Sequence, residues 1–155
     1  LSPRQWIPSE ANPMLRASIL AWQTHYPAEN LSPPLDIDVR HQPWSIETQT
    51  TKINAIVNIN MIHIAPWDAC LGLMAGAERI LPKGGILYLY GPFKREGKHT
   101  APSNAAFDRS LKNNNSAWGV RDIAEVTQVA EDRGLELKKI MPMPANNFSL
   151  VYHKK

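Results

Sequence analysis

The sequence predicts an α/β fold: a Rossmann-like, mostly parallel sheet that closes on an antiparallel terminal hairpin. Three observations carry this reading. Two uncharged apolar runs, Ile53–Met61 and Ile86–Tyr90, have the composition of strands covered on both faces. Between them Trp67, Cys70, Leu71, Met74, Ala77 and Leu81 recur at helical spacing and form one apolar stripe. Finally, Leu135–Met141 and Asn147–Tyr152 flank a turn too short for a crossover, so they pair antiparallel.

The elements follow in chain order. Arg4–Ile7 reads as a short strand stopped by Pro8. Asn12 before Pro13 has the pattern of an N-cap with proline at the first helical position. Met14, Leu15, Ile19 and Trp22 then keep helical spacing to about Thr24. A loop leads to a short strand at Leu35–Val39, and a polar stretch anchored by Trp44 follows. After the first central strand, Pro66 opens the helix with the apolar stripe, in which Gly72 and Gly76 permit close approach to a neighbour. Gly84 and Gly85 turn the chain into the second central strand. A polar loop from Gly91 to Pro102 precedes a helix with Phe107 and Leu111 four apart. Asp122 and Glu125 form a capping-box pattern for a last helix closed by Gly134.

Composition narrows the function. The 155 residues suit one domain, and 43% hydrophobic against 20% charged residues suffices for a core. A net charge of +3 with no dense basic run argues against a nucleic-acid partner. The single Cys70 excludes an intrachain disulfide and fits a reducing, cytoplasmic setting. No apolar run reaches the ~20 residues of a membrane span, so no membrane partner is expected. Five scattered histidines show no ligand spacing, and no metal site is expected. Phosphate-loop and nucleophile-elbow motifs are missing, and the lack of a dinucleotide GxGxxG together with the antiparallel terminal hairpin disfavours an oxidoreductase.

In open α/β sheets ligands sit beyond the carboxyl ends of the strands. Glu10, beyond Pro8, is placed to accept from ribose hydroxyls, or else to favour the positive end of the next helix. Asp38 and Val39 close another strand, where a carboxylate meets an exocyclic amine and an aliphatic packs on a base; a solvated turn is the alternative. Asn58 and Asn60 share one side of the central strand, and amides in an apolar strand need partners. Met61 follows, and His63 beyond it is either a general base or a structural histidine. Tyr90, Gly91 and Pro92 end the next strand, where the glycine admits close backbone approach. Lys94, Arg95, Lys98 and His99 read as a solvated positive loop.

The run NINMIHIAPWDACLGLMAGAERILPKGGILYLYGPF, followed by HTAPSNAAFDRSL, WGVRD and MPANNFSLVY, closely resembles the family known as domain of unknown function 938, or methyltransferase-like protein 26 in animals. WIPSE and RASILAW extend the resemblance toward the start of the chain. It implies a class I methyltransferase sheet using S-adenosylmethionine as cofactor and a small molecule as methyl acceptor. It places Glu10 at the ribose, Asp38 with Val39 at the adenine, and Asn60 with Met61 at the methyl-transfer site. His63 becomes the catalytic candidate, and Tyr90, Gly91, Pro92 and Asn104 the substrate pocket.

The family's first strand and its glycine-rich loop precede the position of Leu1, and the earliest glycine here is Gly72. An N-terminally truncated chain that binds cofactor poorly by itself is therefore expected. The alternative function is a methyltransferase-like fold kept for binding or scaffolding without catalysis.

Overall fold

The computed structural model describes residues 4–49 and 52–155, which fall into two compact units, 1–51 and 52–155. Leu1–Pro3, Thr50 and Thr51, the last two within the polar stretch after Trp44, lie outside the described residues.

The first unit is built on α1 (Pro13–His25). Asn12 caps it as the sequence predicts: its side-chain oxygen accepts from the Met14 and Leu15 N–H groups, with Pro13 opening the helix. The strands expected at 4–7 and 35–39 are reduced to single parallel bridges, Trp6 with Leu31 and Ser9 with Leu35. No residue of α1 is buried; Met14, Leu15 and Trp22 stand exposed. Trp44 and Ile46 are the buried apolar side chains among the described residues of this unit, and a polar cluster adds to them. Arg16 donates to both carboxylate oxygens of Asp36 at 3.0 Å and to the Glu10 carbonyl at 2.7 Å.

The second unit carries the sheet. Its strands are β1 (Ala55–Ile59), β2 (Ile86–Gly91), β3 (Leu135–Met143) and β4 (Asn147–Lys154), in the order β1-β2-β4-β3. β1 and β2 run parallel with Ile59 opposite Tyr90; β4 is antiparallel to both β2 and β3. The sheet is Rossmann-like and ends in the antiparallel hairpin that the sequence predicts, but its pairings are mixed rather than mostly parallel: among the described strands only β1 and β2 pair in parallel. The helices are α2 (Trp67–Ile80), α3 (Pro102–Asn114) and α4 (Ile123–Asp132). Asp122 caps α4 by accepting from the Ala124 N–H at 2.8 Å, and Gly134 ends the segment at φ +68°.

Alternation builds the core. Leu87 and Leu89 on β2 face Tyr152 and Leu150 on β4, and all four are fully buried. Met74 and Cys70 of α2 and Val126 of α4 are fully buried as well, and α2 packs against α4. Burying a large aliphatic side chain contributes about 1.5–3 kcal/mol. Two details differ from the sequence reading. Leu71 is 42% exposed and leaves the α2 stripe. β1 is shorter than 53–61, and Val57 and Ile59 are exposed, so it is covered less fully than a central strand.

Replacing Leu89 with Ala removes a fully buried side chain and is expected to cost about 2–5 kcal/mol, whereas Val57→Ala costs under about 1 kcal/mol. Urea midpoints at unchanged slope check the contrast; equal shifts contradict this account of the core.

Candidate functional site

Parallel pairing brings the carboxyl ends of β1 and β2 to the same edge of the sheet. There the Asn60 N–H donates to the Tyr90 carbonyl at 2.9 Å, and the chain then leaves the strand. Asn60 adopts the left-handed conformation (φ 60°, ψ −16°), which asparagine tolerates better than most side chains. That reversal ends β1 at Ile59 and starts a 3-10 turn over Met61–His63. Asn60 therefore does not share the strand geometry of Asn58, as the alternation had implied. Neither side-chain amide has a hydrogen bond among the described residues, and both are half-buried.

His63 sits at the end of this turn, fully buried, with its ring edge-on to Phe93 at 4.7 Å between centroids. Its Nδ1 accepts from the Arg121 backbone N–H at 3.2 Å, and its carbonyl accepts from the Gly119 N–H at 2.9 Å. Its Nε2 is buried without a partner. That nitrogen occupies the space a side chain on Gly91 would need: a Cβ there would overlap the imidazole and lie 3.2 Å from Asn60 Oδ1. Burial, then the nearby Arg121 guanidinium, push the imidazole pKa down to about 3. At neutral pH the ring is uncharged, and the lone pair on Nδ1 is engaged. A general base at neutral pH needs an accessible lone pair and a pKa near 7, so the structure does not support that role for His63 as it stands.

Arg121 fastens the turn. Its Nε donates to the Ile62 carbonyl at 3.0 Å, and its Nη2 donates to Ala65 and Ala117 at 2.7 and 2.9 Å. The guanidinium lies over the Trp67 ring, 5.5 Å from the centroid. Behind it stands Asp108 on α3, 4% exposed. One of its oxygens accepts from the Val120 N–H at 2.7 Å; the other meets Lys112 at 2.7 Å, His99 at 3.3 Å and Lys94 at 3.7 Å. Burial pushes the Asp108 carboxyl up, but the Lys112 and Val120 hydrogen bonds and the Lys94 charge outweigh it and hold it below the usual range. Lys94 and His99 thus turn inward, whereas Arg95 and Lys98 are exposed as a solvated loop requires.

The remaining expected residues divide. Tyr90 is half-buried; Gly91 and Pro92 are buried beside the His63 turn. Met61 is half-buried within that turn. Asn104 is a brace: its Nδ2 donates to the Asn146 carbonyl at 2.9 Å and to Thr100 Oγ1, tying α3 to the β3–β4 turn. Burial pushes the Cys70 thiol up to about 12, which leaves it inert.

In the first unit, Glu10 Oε1 accepts from the Asn12 N–H at 2.8 Å, the helix-start contact that the simpler reading of Glu10 anticipated. Asp38 is held by Arg40 through both oxygens, and that hydrogen bonding, against some burial, lowers its carboxyl pKa to about 2. A cleft of about 250 Å³ is lined by Asp36, Ile37, Asp38, Trp44 and Ser45, and Val39 offers its carbonyl to Trp44 Nε1.

Residues 1–154 match the family model described as protein of unknown function, DUF938. The chain belongs to the DUF938 family. The same fold recurs in solved structures. LaPhzM is 11% identical with a TM-score of 0.78, aligned over 97% of this DUF938 chain and 43% of its own. An O-methyltransferase family 2 protein from Planctomyces limnophilus, in complex with apigenin, is 21% identical with a TM-score of 0.74 over 97% and 43%. PigF, solved with SAH, is 16% identical with a TM-score of 0.75 over 96% and 42%. The DUF938 chain thus spans less than half the length of these proteins, and the likeness establishes a class I methyltransferase-like fold. Among its described residues no helix is long and apolar enough to cross a membrane.

A histidine with a folded pKa near 3, against 6.5 in the unfolded chain, refuses a proton that the unfolded chain accepts between those values. Its contribution to stability is therefore complete above about pH 6.5 and is lost as pH falls toward 3. Urea titrations of this DUF938 protein from pH 7 downward are expected to show stability falling by up to about 1.4 kcal/mol per pH unit. The His63→Gln variant removes that slope; an unchanged slope contradicts the assignment.

Proposed function

We propose that this chain carries S-adenosylmethionine-dependent methyl transfer to a small-molecule acceptor. The observation that carries the reading is the edge where β1 and β2 end. The Asn60 amide, without a hydrogen bond among the described residues, an unpartnered buried imidazole nitrogen and a glycine without room for a side chain meet at the place where α/β sheets receive ligands. Among the similar structures, PigF and LepI are described with SAH, which supports the same cofactor here.

The residues fit such a ligand unevenly. Glu10 keeps Oε2 free of a hydrogen bond and suits a ribose hydroxyl. Asp38, already bonded to Arg40, accepts an adenine amine only with its leftover lone pairs, with Val39 beside it. Asn60 and Met61 line the transfer site, and Tyr90, Gly91 and Pro92 the acceptor side, while Asn104 is committed to Thr100 and Asn146. The cofactor supplies a methyl group already activated on a sulfonium, so the protein's work is alignment. Rigid backbone at the Asn60–His63 turn and at Gly91 is what holds reacting groups in line.

Asn60→Gly keeps the left-handed backbone and deletes only the amide. Isothermal titration of the complete protein with S-adenosylhomocysteine is expected to show binding by the wild type and about tenfold weaker binding by Asn60→Gly, the loss of one hydrogen bond of about 1.4 kcal/mol. No heat from the folded wild type contradicts the reading.

A further inference from the structure

Within the first unit, α1 carries its polarity the wrong way round. Arg16, Ile19 and Gln23, spaced by three and four, form the face that holds the helix in place. Arg16 is bonded to Asp36 and the Glu10 carbonyl, Gln23 Nε2 donates to the Ser32 carbonyl at 2.8 Å, and Ile19 is half-buried. Arg16 is also the only Asp, Glu, Lys or Arg in the helix. The other face, Met14, Leu15, Ser18, Ala21 and Trp22, repeats the same spacings and is exposed throughout. Met14 is 77% and Trp22 62% exposed; Tyr26, stacked on Trp22 with the ring planes 4° apart, is 66% exposed. A surface helix ordinarily buries its apolar stripe and gives its charges to water. Here the charge is tied down and the apolar stripe is offered.

These six residues leave roughly 700 Å² open, more than the largest apolar patch on a typical monomer and close to the ~800 Å² that each partner brings to a standard complex. We propose that this face is a homodimer interface, on which a second copy of the chain lays its own α1 antiparallel about a two-fold axis. The face is self-complementary in size: bulky at both ends, small in the middle. Antiparallel docking sets Ser18 of one copy opposite Trp22 of the other and Met14 opposite Tyr26, each pair occurring twice by symmetry. The short Ser18 side chain leaves the hole that the indole fills, Ala21 lets the backbones approach, and the Met14 sulfur meets an aromatic ring.

Charge selects the same occupant. The chain carries +3 overall, yet none of that excess stands on this face, so two copies meet there without like-charge repulsion. An acidic or basic partner would find nothing to pair with. A membrane surface is drawn by free cations along a helix, whereas Arg16 is occupied by Asp36. The interface stands independently of the methyltransferase reading.

Sedimentation equilibrium of the complete protein across the micromolar range tests it. The wild type is expected to sediment as a dimer that dissociates on dilution. Trp22→Ala removes the side chain that fills the hole, and Ser18→Glu places a carboxylate in it; each is expected to weaken the dimer about tenfold or more. Leu20→Glu alters an exposed residue of α1 outside this face and is expected to leave the dimer unchanged. All three positions are exposed, and an unchanged far-ultraviolet circular dichroism spectrum shows that the variants fold. A dimer that neither Trp22→Ala nor Ser18→Glu weakens overturns the proposal, as does one that Leu20→Glu weakens equally. A wild type that stays monomeric also overturns it, and co-sedimentation of that monomer with phosphatidylcholine vesicles would give the face to a membrane instead.

Discussion

One small contact organises the site: the backbone N–H of Arg121 given to His63 Nδ1. It fixes which imidazole nitrogen holds the proton, and Arg121 at the same time ties its guanidinium to three carbonyls around the turn. The turn cannot shift without breaking several charge-assisted hydrogen bonds, each stronger than a neutral one. Gly91 completes the constraint from β2, because only a residue without Cβ leaves room for the ring. The left-handed Asn60 follows, since the chain must reverse within one residue to bring His63 behind the strand.

Asp108 supports this arrangement one layer back. A carboxylate that is 4% exposed is costly to bury, and two lysine side chains, the His99 ring and one backbone N–H compensate. Its bond to the Val120 N–H orders the segment just before Arg121, and the close fit between Gly119 and the same carboxylate leaves no space for a side chain. The positive groups of the loop after β2 therefore serve the interior as well as the solvent. The loop is also held where Lys94 exchanges backbone hydrogen bonds with Arg121 and Ile123 and where Gly97 donates its N–H to Asp122.

Much of the second unit was legible in the sequence because its signals are local. The α2 spacing, the uncharged β2 run and the short turn between β3 and β4 each specify an element without long-range information. The end of β1 was not, since Ile59, Asn60 and Met61 read alike in hydropathy and the reversal lies in a dihedral angle. Arg121 within WGVRD and Asp108 within HTAPSNAAFDRSL carry no sign of their roles in the sequence. Their partners are carbonyls and N–H groups of distant residues, such as Ile62, which leave no trace in residue type. In the first unit the Asn12–Pro13 cap was readable, whereas the two short strands were not realised beyond single bridges. A strand depends on its neighbours for hydrogen bonds, and residue propensity says nothing of whether they are there.

A crystal structure of the complete protein with S-adenosylhomocysteine tests the central claim most directly. Electron density for the ligand's sulfur end against Asn60, Met61 and Gly91, with His63 keeping its bond to the Arg121 N–H, is the result this account predicts. Density remote from that turn, or a His63 ring rotated away from Arg121 to face the ligand through a bare nitrogen, would contradict it.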